Sequence, residues 1–268
     1  MIKVFKYTLR FFCILGVISM IHSCSFNEFE NSNRIIDISN EIDLLLLPDL
    51  KDNSKLKWFV STTDSRYCES AFIETQLISD NEQQNLLIKG IISPSNCVDQ
   101  SSQLISIESF AALDKYNVDL EFAENLSSII SIEKHNNTYS INHDEVDYFS
   151  FQQTQLKITD KTLIWMGIED INESSFSDIQ ELFQESFHSF QLYNLENGDY
   201  GYINLDDEIE YVLNPESLQR YTMGIAFHVS PEIDYEDLKF KMANFSSNLR
   251  EMLPSLDFFL STSKGDTF

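Results

Sequence analysis

Two rhythms of apolar residues run along this chain, and the change between them falls near residue 160. From 57 to about 160, apolar positions come in short runs separated by polar turns. The segments 57–60, 72–78, 86–92, 103–110, 118–122, 129–133, 139–141, 148–151 and 156–158 each read as a β-strand, several with strict alternation. Short strands with turns between them and no helical stretch predict an antiparallel β-sandwich.

From 161 onward helical spacing enters. Phe176, Ile179, Leu182, Phe183, Phe187 and Phe190 mark one amphipathic helix, and Leu238, Met242, Phe245, Leu249 and Met252 a second. Ser175 with Asp178 resembles a capping box for the first. Ser230-Pro231 reads as the start of the second, and Pro254 stops it. Strands are expected at 163–168, 191–195, 200–205, 209–213, 221–229 and 256–260, with Asn197-Gly198 as a hairpin turn. Met166-Gly167-Ile168 recurs as Met223-Gly224-Ile225, and Phe176-Ser177-Asp178-Ile179 is echoed by Tyr235-Glu236-Asp237-Leu238. Two β-α-β units joined by a hairpin insertion predict a ferredoxin-like (βαβ)2 domain, so the expected class is α+β.

The N-terminal residues follow neither rhythm. Lys3, Lys6 and Arg10 precede an apolar run over 11–21, too short to span a bilayer as a helix, and Ile21-His22-Ser23-Cys24 closes it. This layout resembles a bacterial lipoprotein signal peptide. The resemblance implies cleavage before Cys24, a diacylglycerol on its thiol and acyl chains at the new N-terminus. Since two or more chains anchor stably where one is marginal, the mature polypeptide is expected to sit in water, held at a membrane. Ser25 in place of Asp implies, by the same resemblance, sorting to the outer membrane. The expected organisation is a signal peptide at 1–23, a tether at 24–55 with a short helix over 34–47 ended by Pro48, the sandwich at 56–160 and the α+β domain at 161–268.

The chain holds 18 basic and 43 acidic residues, a net charge of −25. Without the signal peptide 15 basic residues face the same 43 acids, which gives −28. Such a surface repels phosphates, so nucleic acid is excluded as a partner, whereas a divalent cation or a basic envelope protein is compatible with it. With 43% hydrophobic residues the chain is not of the disordered class.

With Cys24 acylated, Cys68 and Cys97 remain as a pair in an oxidising compartment. Strands over 66–79 and 85–93 joined by a turn at 80–84 place these two cysteines opposite each other, so a Cys68–Cys97 disulfide is expected.

Catalytic signatures are missing. His135, His143, His188 and His228 are dispersed, and neither His-Glu-x-x-His nor Gly-x-Ser-x-Gly nor a glycine-rich phosphate loop occurs. The acidic groupings are Asp144, Glu145 and Asp147 beside His143; Asp206, Asp207, Glu208 and Glu210; and Glu169, Asp170 and Glu173. None has calcium-loop spacing, and no metal site or cofactor is assigned. Trp58 and Trp165 sit in strand-like apolar runs and are expected in cores. The expected function is a non-enzymatic, membrane-anchored envelope lipoprotein with a binding or assembly role. A solute- or glycan-binding lipoprotein of an uptake system is the first alternative, and a carboxylate-based hydrolase the second.

Overall fold

The computed structural model describes residues 32–35, 42–63, 67–68, 70–80, 82–94, 103–122, 126–144, 149–151, 153–169 and 171–268. Strands dominate, and among the described residues two α-helices lie in the C-terminal half, an α+β class rich in sheet.

The leucine run at 44–47 shows how the layers are built. It belongs to strand β2 (Ile42–Pro48), which pairs antiparallel with β3 (Lys55–Thr62). β3 pairs in turn with β6 (Ile105–Ala111), and β10 (Phe149–Ser150) joins β2 in parallel. Leu44 and Leu46 enter one apolar cluster with Trp58 and Val60, whereas Leu45, Leu47 and Phe59 enter another. Alternate residues of a strand face opposite ways, so this sheet is covered on both faces. A doubly covered strand needs continuous rather than alternating apolar residues, which is why the run looks helical in sequence. The expected tether to residue 55, with a helix over 34–47, is corrected. β1 (Ser32–Ile35) pairs with a strand of the next sheet, and β2 is core. Beyond β10 the edge of β2 is completed by a side chain. The Gln153 amide accepts from Leu46 N–H at 2.8 Å and donates to Leu46 C=O at 3.2 Å.

The first cluster is closed by a seven-stranded sheet of β1, β4 (Phe72–Asp80), β5 (Gln83–Pro94), β7 (Lys115–Phe122), β8 (Leu126–His135), β9 (Thr138–His143) and β11 (Gln155–Lys157). Its order is β1-β5-β7-β8-β9-β11, with β4 also on β5. Ile88, Val118, Leu120, Ile130, Ile132, Tyr139 and Ile141 face Trp58 and its neighbours. All nine expected strands in this region exist, but not all pairings are antiparallel. β5 and β7 run parallel, because the intervening β6 lies in the other sheet and the chain returns in the same direction. The β4–β5 hairpin forms with a turn tighter than 80–84, since Asp80 pairs with Gln83. Its ladder shifts by one residue between Glu74 and Thr75.

In the C-terminal half the order is β12 (Leu163–Ile168), α1 (Glu173–Phe187), β13 (Leu192–Asn194), β18 (Met223–Val229), α2 (Tyr235–Met252) and β19 (Phe258–Thr262). These strands form a sheet in the order β13-β18-β12-β19, with every neighbour antiparallel. Ile179, Phe183 and Phe187 of α1 and Leu238, Met242, Phe245 and Leu249 of α2 cover one face. Met252, expected in that stripe, is instead exposed. The helices start one turn away from the expected caps. Asn172 Oδ1 accepts from Ser175 N–H, and the Asp234 side chain accepts from Glu236 N–H.

The two words of the sequence echo are partners in space. Met166, Gly167 and Ile168 pair with Ile225, Gly224 and Met223, with the two glycines opposite each other. A Cβ on Gly167 would lie 2.3 Å from a Phe259 ring carbon and 2.8 Å from Tyr221 Cγ. The glycines open the sheet face on which an inserted sheet packs. That sheet consists of β14 (Gly198–Asp199), β15 (Ile203–Asp206), β16 (Glu208–Leu213) and β17 (Arg220–Tyr221). Asn197-Gly198 is not its turn. Gly198 pairs with Leu205, and the chain reverses at 200–202, where Asp199 Oδ1 accepts from Gly201 N–H and Gly201 takes φ 81°. A competing Asp-x-Gly turn therefore wins.

Ile203, Val212, Leu213 and Tyr221 of the insertion fill the second cluster together with Leu45, Leu47 and Phe59 from the first half and Trp165 and Phe259 from the second. The change of rhythm at residue 160 thus marks a change of architecture, while one core runs across it.

Candidate functional site

Where the two halves meet, a cavity of about 850 Å³ opens. Five stretches of chain form most of its wall. They are the loop from Pro48 to Lys55, the β8–β9 turn, the segment 157–162 after β11, the turn at 200–203 and Ser263-Lys264 after β19. Its size lies within the range of pockets for small organic ligands.

Six lysines line it: Lys51, Lys55, Lys134, Lys157, Lys161 and Lys264. The whole chain has only 18 lysines and arginines against 43 acids, so a third of its positive charge gathers at one concavity. Asp49, Asp52 and Asp160 also line the cavity. Two of these three acids are already engaged. Asp49 sits 3.2 Å from Lys57 Nζ and accepts from Lys51 N–H, and Asp52 sits 3.1 Å from Lys55 Nζ. Hydrogen bonds from Ser54 and Lys55 hold the Asp52 carboxyl down at about 2. Lys157 donates to the Asn197 carbonyl and lies 4.0 Å from Glu196. Among the described residues Lys51, Lys134, Lys161 and Lys264 have no carboxylate within ion-pair distance.

Aromatic faces hold several of these ammonium groups. Lys134 lies 5.5 Å from the Tyr139 ring centre, Lys157 5.8 Å from Tyr200 and Lys264 3.9 Å from Tyr235. A ring face attracts the cation without using up its N–H donors. Deeper in, Trp165 stacks on Tyr202 at 6.0 Å and gives its indole N–H to Leu213 C=O. Tyr202 is 5% exposed, and its hydroxyl has no hydrogen-bond partner. Burial, reinforced by the charge of Asp49, raises its pKa far above the ordinary phenol value, so it stays a neutral O–H donor. Behind Tyr200, whose ring meets His228 edge-on at 6.2 Å, the buried His228 Nδ1 is also unpartnered. Burial and the nearby Lys161 lower its pKa and favour the neutral imidazole.

The residues singled out from sequence lie elsewhere. Cys24 and Cys97 fall outside the described residues. Cys68 is buried ahead of β4, with Sγ 3.3 Å from Ser70 Oγ, and is disulfide-bonded. Its pairing with Cys97 stands as a proposal. His143 Nδ1 contacts the Asp144 carbonyl, and Glu145 and Asp147 lie outside the described residues. Asp206, Asp207 and Glu208 form the β15–β16 turn, while Glu210 accepts from Asn204. Glu169 accepts from Gln219, and Asp170 is not described. Among the described residues no group of three or more His, Cys, Asp or Glu converges as a metal site. Trp58 is core, as expected, whereas Trp165 is both core and cavity wall. The lysine cavity was not foreseen, since its six lysines come from four separated segments, each unremarkable alone.

No protein-family model, no curated protein and no solved structure matches this chain.

Proposed function

We propose that this chain is a lipid-anchored envelope protein, held at the outer membrane through Cys24, whose role is to bind a soluble ligand without transforming it. The observation that carries the reading is the junction cavity, which combines a concave aromatic floor with cationic side chains free to engage a guest. A solute-binding role is favoured over pure assembly because the polar groups converge inward. Hydrolysis by a carboxylate is disfavoured. A general acid needs a raised pKa, whereas in the cavity Asp52 is held low and Asp49 is tied to lysine, and Asp199, whose pKa is raised, is not on its wall.

The same reading assigns the architecture. Two sheets sharing the Trp58 cluster support a β-sandwich with two parallel pairings, β5–β7 and β2–β10. The strand order β13-β18-β12-β19 with both helices on one face supports a ferredoxin-like domain carrying a four-stranded insertion.

Intact mass of the membrane-extracted protein tests the anchor. A mass of residues 24–268 plus diacylglycerol and acyl chains is expected, and the Cys24→Ser variant should leave the membrane fraction. An unlipidated wild-type mass rejects the anchor. A thermal-shift screen of the full-length, detergent-solubilised protein against charged and neutral solutes tests the binding role, and no shift from any solute rejects it.

A further inference from the structure

We infer that the cavity ligand is a small multivalent anion, carrying two or more carboxylate, phosphate or sulfate groups. The inference rests on the binding reading above and gives it a chemical class. The charge census carries the first half of the argument. A chain with 43 acids places a third of its cations around one concavity and leaves four of them without a carboxylate. An acidic surface would ordinarily supply each lysine with a partner at little cost, so uncompensated ammonium groups repelling one another across a cavity are stabilised when an anion fills it. Four such groups in different wall segments call for more than one negative charge on the guest. The lysines are point-charge donors with rotatable N–H groups, suited to several anion geometries rather than to one planar fork.

The second half comes from Tyr202, independently of charge. The residue is 5% exposed on the cavity wall, and its hydroxyl meets no protein acceptor among the described residues. Burial keeps it protonated, so at the cavity surface it offers a donor that an acceptor on the guest can take over from solvent. Carboxylate, phosphate and sulfate oxygens are such acceptors. A cationic guest would face four like charges and gain nothing from this hydroxyl.

The test is isothermal titration of the full-length, detergent-solubilised protein with citrate, pyrophosphate, a trigalacturonate and, as the neutral arm, maltotriose. Saturable binding of at least one anion is expected, and the responding arm separates carboxylate from phosphate and sugar acid from simple acid. The triple variant Lys134→Gln, Lys161→Gln, Lys264→Gln should lose the binding by tenfold or more. Lys239→Gln, on α2 and paired with Glu236, should bind as the parent does. Tyr202→Phe should bind about 3- to 10-fold more weakly with an unchanged melting temperature, because the hydroxyl has no protein partner to lose. Circular dichroism confirms that each variant is folded. Binding of maltotriose undiminished by the triple variant overturns the anion inference and leaves the binding reading intact. Silence of the folded wild type toward all four probes overturns both. Anion binding unaffected by the triple variant places the site elsewhere and overturns the inference.

Discussion

Asp199 is a carboxyl group in an apolar place. It is 8% exposed, accepts from Gly201 N–H at 2.6 Å and lies 3.4 Å from the Tyr211 hydroxyl. Burial raises its pKa from 3.8 to about 6, more than these hydrogen bonds and Arg220 pull it down. The folded state therefore holds a proton that the unfolded state releases, so stability contributed by this residue falls as pH rises from about 4 to about 6. Asp199→Asn keeps the turn-forming oxygen and removes the charge. Chemical denaturation should find the variant more stable at pH 8, by up to about 3 kcal/mol for a shift of this size, and similar to wild type at pH 4. Destabilisation at pH 8 but not at pH 4 would show that the carboxylate is needed as an anion. Little of this was legible in sequence. Asp199 follows Asn197-Gly198, the stronger turn signal on paper, and its importance appears only once Gly201 and Tyr211 close around it.

At the scale of elements, the sequence foretold strands better than their partners. The nine expected N-terminal strands and both helices lie where apolar runs put them, and periods of two and 3.6 follow directly wherever a single face is covered. Period fails where two faces are covered. β2 at 44–47 and β12 at 163–168 are continuous apolar runs, and the first was misread as helix. The Met-Gly-Ile echo falls on β12 and β18, each followed by a helix, and its two glycines pair in space, Gly167 admitting Tyr221 and Phe259 and Gly224 admitting Val212. Gly167→Ala should accordingly lower stability by about 1–3 kcal/mol, measured by thermal or urea unfolding. An unperturbed variant would mean that the two rings can withdraw and that close approach at this point is not required.

Across the whole molecule, the second apolar cluster decides whether the halves act as one. Leu45, Leu47 and Phe59 reach it from one side, and Leu163, Trp165 and Phe259 from the other. Denaturation followed in Trp165→Phe, which reports on Trp58, should coincide with that followed in Trp58→Phe, which reports on Trp165. Two separated transitions would show that the cluster is a docking surface between autonomous domains. The boundary near 160 was visible in sequence because hydrophobic rhythm changes there. The cavity was not, because five chain segments from 48 to 264 must first be brought together.

The amide of Gln153 carries a further consequence. β2 is a leucine-rich strand whose outer edge would, beyond β10, offer free N–H and C=O groups to any extended peptide. A single side chain occupies the Leu46 position of that edge, satisfying donor and acceptor at once while presenting no continuing strand. Both groups lie in the interior, so the amide does there what water does at an exposed sheet edge. Removing the amide would strand the buried Leu46 N–H and C=O without partners, at about 1–3 kcal/mol for each group.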